Sequence, residues 1–348
     1  MRARAAFLLC LILTLSLVPL EARAEDGTDS GVSPREVADY AMSWVGKISY
    51  RLGAREELHE GGESDCSWFL FHIFNHFGLL DEWQKSTTWG SGNVPGTVRV
   101  DRIEDAIPGD VLFWTEGFEE DGTPRGHVVM YVGALQVVGC NGSSPTTGSV
   151  SQSYYTRPGG GREPDAIWRM KALDGQMPRH FFGCTPADTP VDGHLYLLLS
   201  SGNPEKLLFV KKKKGKVQIK CNTFSGSSRG VFLMTALSDG SWRLSSDYTG
   251  GVMAVNGSDL TLSGNKESAS GRFRILSNSD GTVSLRNMAI GDSVVLRKEN
   301  GKSVVKADIP RETDTTSFFL VDVSRFYKDR TSTLNKKKKA SSRECTAG

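Results

Sequence analysis

The sequence predicts two halves of different class: an α+β half with a mostly antiparallel sheet, then an all-β half built from repeated units. Three observations lead there. Between residues 33 and 78 apolar side chains recur at helical spacing. Between 108 and 141 they fall instead into short runs bounded by Gly and Pro, the pattern of strands. After Asp192 an Asp-Gly pair recurs at 192–193, 239–240 and 280–281, each time leading a strand.

Taken in order, residues 1–24 have the layout of a secretory signal peptide. Arg2 and Arg4 precede an apolar run from Ala5 to Leu20, and Ala22-Arg23-Ala24 supplies a small-x-small cleavage pattern. The run is shorter than the ~20 residues of a spanning helix, and no later stretch is apolar enough to span, so a secreted, soluble monomer is expected. Ser33-Pro34-Arg35-Glu36 is a helix start, with Ser33 as N-cap and Glu36 able to close a capping box. A second helix begins around Ser64 and Asp65 and stops at Gly78. The runs VLFW, VVMYVG and LQVVGCN then read as strands of one sheet.

Residues 173–191 hold Pro178, Pro186 and Pro190 among Gly and Asp, the composition of a linker. From 192 to 325 each unit has a strand after Asp-Gly, a pair of short strands, and a closing strand with Phe (GVFLMTAL, GRFRILSN, SFFLVDV). Three units of about four strands at this spacing mark stacked supersecondary repeats, and they resemble a β-trefoil, whose closed barrel removes exposed sheet edges. The Gln-x-Trp signature of ricin-type lectins is missing, and Trp242 has no counterpart in the other units. The likeness is closer to the fascin-like trefoils. Residues 326–348, with Lys336–Lys339 among Ser and Thr, form a basic tail that cannot bury a core.

The formal net charge of +2 does not imply a nucleic-acid or membrane partner. Removal of the leader takes Cys10 away and leaves Cys66, Cys140, Cys184, Cys221 and Cys345. An odd number in an oxidising compartment predicts one free thiol, Cys66, and two disulfides among the rest.

Cys66 lies at the start of its helix, where backbone N–H groups and the helix dipole lower a thiol pKa toward the thiolate. A thiol nucleophile needs a base, and His is the usual one. His72 and His76 form an H-x-x-x-H pair without a third ligand, and no metal or other cofactor is expected. His127 differs, since it follows Gly126 and opens an apolar strand.

Tyr50, DCSWF at 65–69, GDVLFW at 109–114 and GHVVMYVG at 126–133, in that order, resemble the NlpC-type family of papain-like cell-wall peptidases over residues 33–172. The resemblance implies an α+β papain-like fold with Cys66 as nucleophile and His127 as base. Tyr50, with Asp65, Ser67 and Trp68 around the nucleophile, would bind substrate. Trp68 stands where the family has Gly, and extra residues separate Tyr50 from Cys66. The family's third residue, twelve positions after the base, is Gly139 here. Asn141, on the same strand face, could orient His127 as in a Cys-His-Asn arrangement; Gln136 or a main-chain carbonyl are the alternatives. Asn141 and Asn256 each begin a glycosylation sequon.

Cys before His in the chain resembles the amide-hydrolysing branch. The implied activity is a thiol peptidase or amidase cutting peptidoglycan stem peptides, typically after D-glutamate, through a thioester. The trefoil would bind the cell wall, other glycans or a protein. The other reading is a carbohydrate- or protein-binding trefoil protein whose papain-like half is inactive.

Overall fold

In the computed structural model, residues 31–141, 149–154, 163–177, 179–213, 216–225, 227–265 and 267–326 are described. The leader, Cys345, the tail beyond 326 and the rest of the Asn141 sequon lie outside them.

Helix α1 (Pro34–Ser43) starts as its capping box requires, with Ser33 and Glu36 bonded reciprocally. Two short strands, β1 (Ser49–Tyr50) and β2 (Glu63–Ser64), flank a loop and pair in parallel. Helix α2 (Cys66–His76) is capped by Asp65, whose carboxylate accepts the N–H of Trp68. Helix α3 (Ser86–Ser91) follows, then β3 (Thr97–Val100), β4 (Val111–Phe118), β5 (Pro124–Gly133), β6 (Gln136–Asn141), β7 (Ser149–Tyr154) and β8 (Ala166–Met170). These eight strands make one sheet in the order β2-β1-β7-β6-β5-β4-β8-β3. Phe113, Val128, Met130, Val138 and Cys140 form one core with Val37, Ala41, Phe69, Leu70 and Ile73 of the helices.

The strand β9 (Pro186–Ala187) leads into the second half, which is mostly β throughout. Its twelve strands are β10 (Leu195–Ser200), β11 (Asn203–Lys213), β12 (Lys216–Thr223), β13 (Phe232–Ala236), β14 (Trp242–Ser246), β15 (Val252–Asn256), β16 (Asp259–Ser263), β17 (Arg272–Ser277), β18 (Val283–Asn287), β19 (Ser293–Glu299), β20 (Lys302–Asp308) and β21 (Ser317–Asp322). Strands β10, β13, β14, β17, β18 and β21 pair in that cyclic order, because β21 returns to β10, and so close a six-stranded barrel. The hairpins β11–β12, β15–β16 and β19–β20 complete the three units. This is the β-trefoil arrangement. The repeated Asp-Gly turns have a local cause in two units, where Asp239 and Asp280 accept the N–H of Ser241 and Thr282 at 2.9 and 3.0 Å. In the first unit Asp192 reaches across to the N–H of Ala236 at 2.9 Å.

The stretch 173–191 is not a free spacer. Phe182 and Cys184 are buried in a core that takes Leu112, Trp114, Val129, Tyr131, Ala134 and Leu135 from the sheet, and Leu195, Leu197, Leu207, Phe224, Val321 and Val323 from the barrel. Pro and Gly set its path here, while its Phe side chains weld the halves together. The tail boundary moves too, since Phe326 packs against both cores and its carbonyl accepts from Gln136 Nε2 at 3.4 Å. Among the described residues Cys66, Cys140, Cys184 and Cys221 are all free thiols, so no disulfide joins any two of them, and a pairing with Cys345 lies outside the described residues. Cys140, Cys184 and Cys221 sit in or against three different cores. No helix among the described residues is long and apolar enough to cross a membrane.

Candidate active site

The β5–β6 hairpin sets the geometry. Its turn residues Ala134 and Leu135 both have positive φ, 51° and 53°, the left-handed pair that a two-residue hairpin turn needs. Such a conformation costs about 1 kcal/mol or more per non-glycine residue. Both residues are buried beneath the second half, and Phe182 holds the turn. Its carbonyl accepts the Ala134 N–H at 2.7 Å and the Tyr131 hydroxyl at 2.8 Å. The same hydroxyl accepts the Leu135 N–H at 3.1 Å. A register shift between Tyr131 and Gly133 follows, after which Met130 faces Val138. Continued along the strands, this register brings His127 opposite Asn141, and His127 Nε2 hydrogen-bonds the Asn141 side-chain oxygen. The Asn141 amide nitrogen donates to the Gly139 carbonyl at 3.3 Å, which fixes the other atom as the acceptor.

Gly139 itself stands against Val129. A Cβ there would lie 2.7 Å from a Val129 methyl, so the family's usual position for the third residue has no room for a side chain. Gly126, before the base, is needed for a different reason: a Cβ would fall 1.8 Å from the Trp114 carbonyl oxygen, where β4 and β5 approach closely. Gln136 lies at the far end of β6 and bonds Phe326, away from the imidazole.

Cys66 opens α2, where the backbone N–H groups of Val128 and Ser67 favour its thiolate. Val128, which directly follows His127, packs in the same core as Cys66. The thiol is 8% exposed. Burial pushes its pKa up to about 12, aided by the carboxylates of Asp65 and Glu116 and opposed by the two N–H groups. The expectation of a thiol lowered by its helix is therefore corrected: loss of water outweighs the dipole. Burial also lowers the His127 pKa, against the Asn141 bond and the same two carboxylates. Both groups are neutral at rest near pH 7. The Tyr50 phenol, half-buried beside Cys66, is raised to about 12, first by burial, and so stays a hydrogen-bond donor.

Asp65 and Ser67 are buried and already engaged. Asp65 Oδ1 accepts Trp68 N–H at 2.8 Å and the Ser67 hydroxyl at 2.9 Å, and its other oxygen is paired with Arg55. Arg55 lies 3.9 Å over the Trp83 ring and 5.5 Å from that of Trp68. Trp83 donates to Ser67 Oγ at 3.2 Å, and Trp68 donates to the Glu56 carbonyl at 2.6 Å. Trp68 thus pins the loop before α2. Sequence reasoning missed Arg55, Trp83, Glu116 and the Val128 N–H. Only Arg55 had a signal, since a buried helix-capping carboxylate needs a counter-charge. Among the described residues no group of three or more His, Cys, Asp or Glu side chains could hold a metal.

No protein-family model matches the chain, and no curated protein does. Similar solved structures each cover 38% of it. They include a mosquitocidal holotoxin at 10% identity (18% of that chain, TM-score 0.36) and a designed three-fold symmetric protein, ThreeFoil, at 18% identity (all of that chain, TM-score 0.34). A third is a lectin of Polyporus squamosus bound to a human-type influenza-binding epitope, at 11% identity (50% of that chain, TM-score 0.34). The chain thus spans under a fifth of the holotoxin and half of the lectin. The trefoil assignment rests on the strand pairings themselves.

Proposed function

We propose that the chain is a secreted papain-like cysteine peptidase or amidase. In this reading Cys66 is the nucleophile, His127 the base, and Asn141 the residue that orients the base. The observation that carries it is the His127–Asn141 hydrogen bond, in a chain that also sets a cysteine at a helix N-terminus. An amide oxygen can only accept, so His127 Nε2 bears the proton and Nδ1 keeps its lone pair.

From two neutral groups the reaction begins by general-base catalysis. His127 Nδ1 takes the thiol proton as Sγ attacks the amide carbonyl, and returns it to the departing amine. The thioester is then cleaved by water that His127 deprotonates. The backbone N–H groups at the start of α2 and the Tyr50 hydroxyl are the donors available to a developing oxyanion.

The substrate class follows from the family resemblance: peptidoglycan stem peptides, cut after D-glutamate. The trefoil would present the wall as part of one rigid body, since it shares a core with the catalytic sheet. Incubation of purified muropeptides with the wild-type chain and with Cys66→Ala tests the reading. New fragments only with wild type are expected; equal fragment patterns end it. Glycan-array binding by the full Cys66→Ala chain tests the trefoil's part, and silence there removes it.

A further inference from the structure

The first hairpin of the trefoil has a charge pattern that its two counterparts lack. From Lys206 to Ser238 the sequence holds seven lysines and one arginine, and no Asp or Glu. Six of those lysines fall on β11 and β12. The register sets Phe209 opposite Lys220, Lys211 opposite Gln218 and Lys213 opposite Lys216. Residues directly opposite share a face, so Lys211, Lys213, Lys216 and Lys220 hold positions on one face. The other face carries Leu208, Val210 and Ile219 into the barrel core, which fixes the hairpin's orientation. Thr261 Oγ1 also donates to the Val217 carbonyl at 3.0 Å and ties β12 to β16. Lys211 and Lys212 are exposed. In the hairpin β19–β20, by contrast, Arg297 is paired with Asp308 and Asp314, and Lys306 with Asp259 of β16. Among the described residues no carboxylate stands within ion-pair distance of Lys206, Lys211, Lys212 or Lys220.

Like charges set opposite one another destabilise a strand pair, so this concentration of lysines suits an anion from outside the chain. Strand positions two apart repeat every ~6.5 Å, and charges repeated along a line match a polymer better than one small anion. The cluster uses Lys, a point charge suited to phosphate, where paired contacts to a carboxylate favour Arg. None of the large apolar side chains exposed among the described residues lies on β11 or β12, so the hairpin has no anchor for a bilayer. We propose that the lysine face of β11–β12 binds a polyphosphodiester of the bacterial wall. The choice of a wall polymer rests on the peptidoglycan reading above, while the fit to an extended polyanion rests on the hairpin alone. Leu207 of β11 belongs to the core shared with the catalytic sheet, so a polymer bound here would hold that half beside the wall.

The test is biolayer interferometry of the full chain on immobilised poly(glycerol phosphate). Each lysine that neutralises a phosphate releases counterions, so four contacts predict an affinity loss of roughly 50-fold between about 50 and 200 mM salt. Changing Lys211, Lys212, Lys213 and Lys216 together to Gln should weaken binding about tenfold or more at the lower salt. Should that variant fold poorly, changing only the exposed Lys211 and Lys212 to Gln should still weaken it several-fold. A chain with Lys336 to Lys339 changed to Gln should bind as wild type does. Hairpin variants that bind like wild type would overturn the proposal, even where they aggregate, since the lysines would then only guard the edge strand. Loss of binding through the tail variant alone, or a wild-type preference for phosphatidylglycerol vesicles, would overturn it too. Binding does not need Cys66: an inactive chain in the muropeptide assay that holds the polymer keeps the hairpin's role, and an active chain that does not hold it loses this proposal alone.

Discussion

His127 on β5 and Asn141 on β6 stand opposite one another, and the imidazole Nε2–H is held by the Asn141 side-chain oxygen. Asn141→Ala removes that acceptor and frees the ring to turn. A loss in kcat on the order of 10²-fold, with KM little changed, is expected from a misplaced base. A Gly139→Asn, Asn141→Ala double variant should not recover it, because Val129 occupies the space beside position 139. Recovery would show that the register does not choose the third residue.

The pH dependence follows from the shifts at the two reacting groups. Burial lowers the His127 pKa below the ordinary 6.5, and catalysis needs the neutral ring, so kcat/KM should fall as pH drops through that lowered value. Burial holds the Cys66 thiol up near 12, so no alkaline fall is expected between about pH 7 and pH 9. A bell centred below pH 6 would mean a preformed thiolate–imidazolium pair instead.

Arg55 neutralises the carboxylate that caps the nucleophile helix. Arg55→Met leaves Asp65 buried without its partner, which typically costs about 3–5 kcal/mol. Urea unfolding at neutral pH reads the loss. An unchanged midpoint would place the pair among surface ion pairs of little worth.

Tyr131 links the β5–β6 turn to Phe182 through one hydroxyl. Tyr131→Phe strands the Leu135 N–H of a strained turn and leaves the Phe182 carbonyl with the Ala134 N–H alone of its two turn donors. The expected loss is about 1–3 kcal/mol, with reduced muropeptide cleavage as the register loosens. Stability lost without any change in cleavage would separate the turn from the site.

The shared core predicts one cooperative unfolding transition for both halves. Phe182→Ala should lower stability by about 3–5 kcal/mol and shift the calorimetric transition as a whole. Two resolved transitions, only one of them moved, would show that the halves unfold independently.

Much of this was legible in the residues. The capping box at Ser33 and Glu36, the helix opened by Cys66, the strands of the β4–β6 region and the three Asp-Gly units are local patterns, and local patterns survive translation into structure. Helix α3 and strands β3 and β8 were not legible, because STTWGS, TVRV and AIWRM are too short to show a period. The segment 173–191 misled for a related reason: its Pro and Gly residues describe its backbone, while the burial of Phe182 and Cys184 depends on surfaces far away in the chain.

By itself the sequence determined which residues had the chemistry: a cysteine at a helix start, a histidine at a strand start, and an amide fourteen residues later. Tertiary structure alone decided how those groups behave. A strained turn, held by a carbonyl from the connecting segment, selects Asn141 over position 139. Burial, which sums over many distant neighbours, turns the expected thiolate into a neutral thiol. Pairing, register and desolvation are properties of surfaces brought together by folding, and spacing along the chain does not encode them.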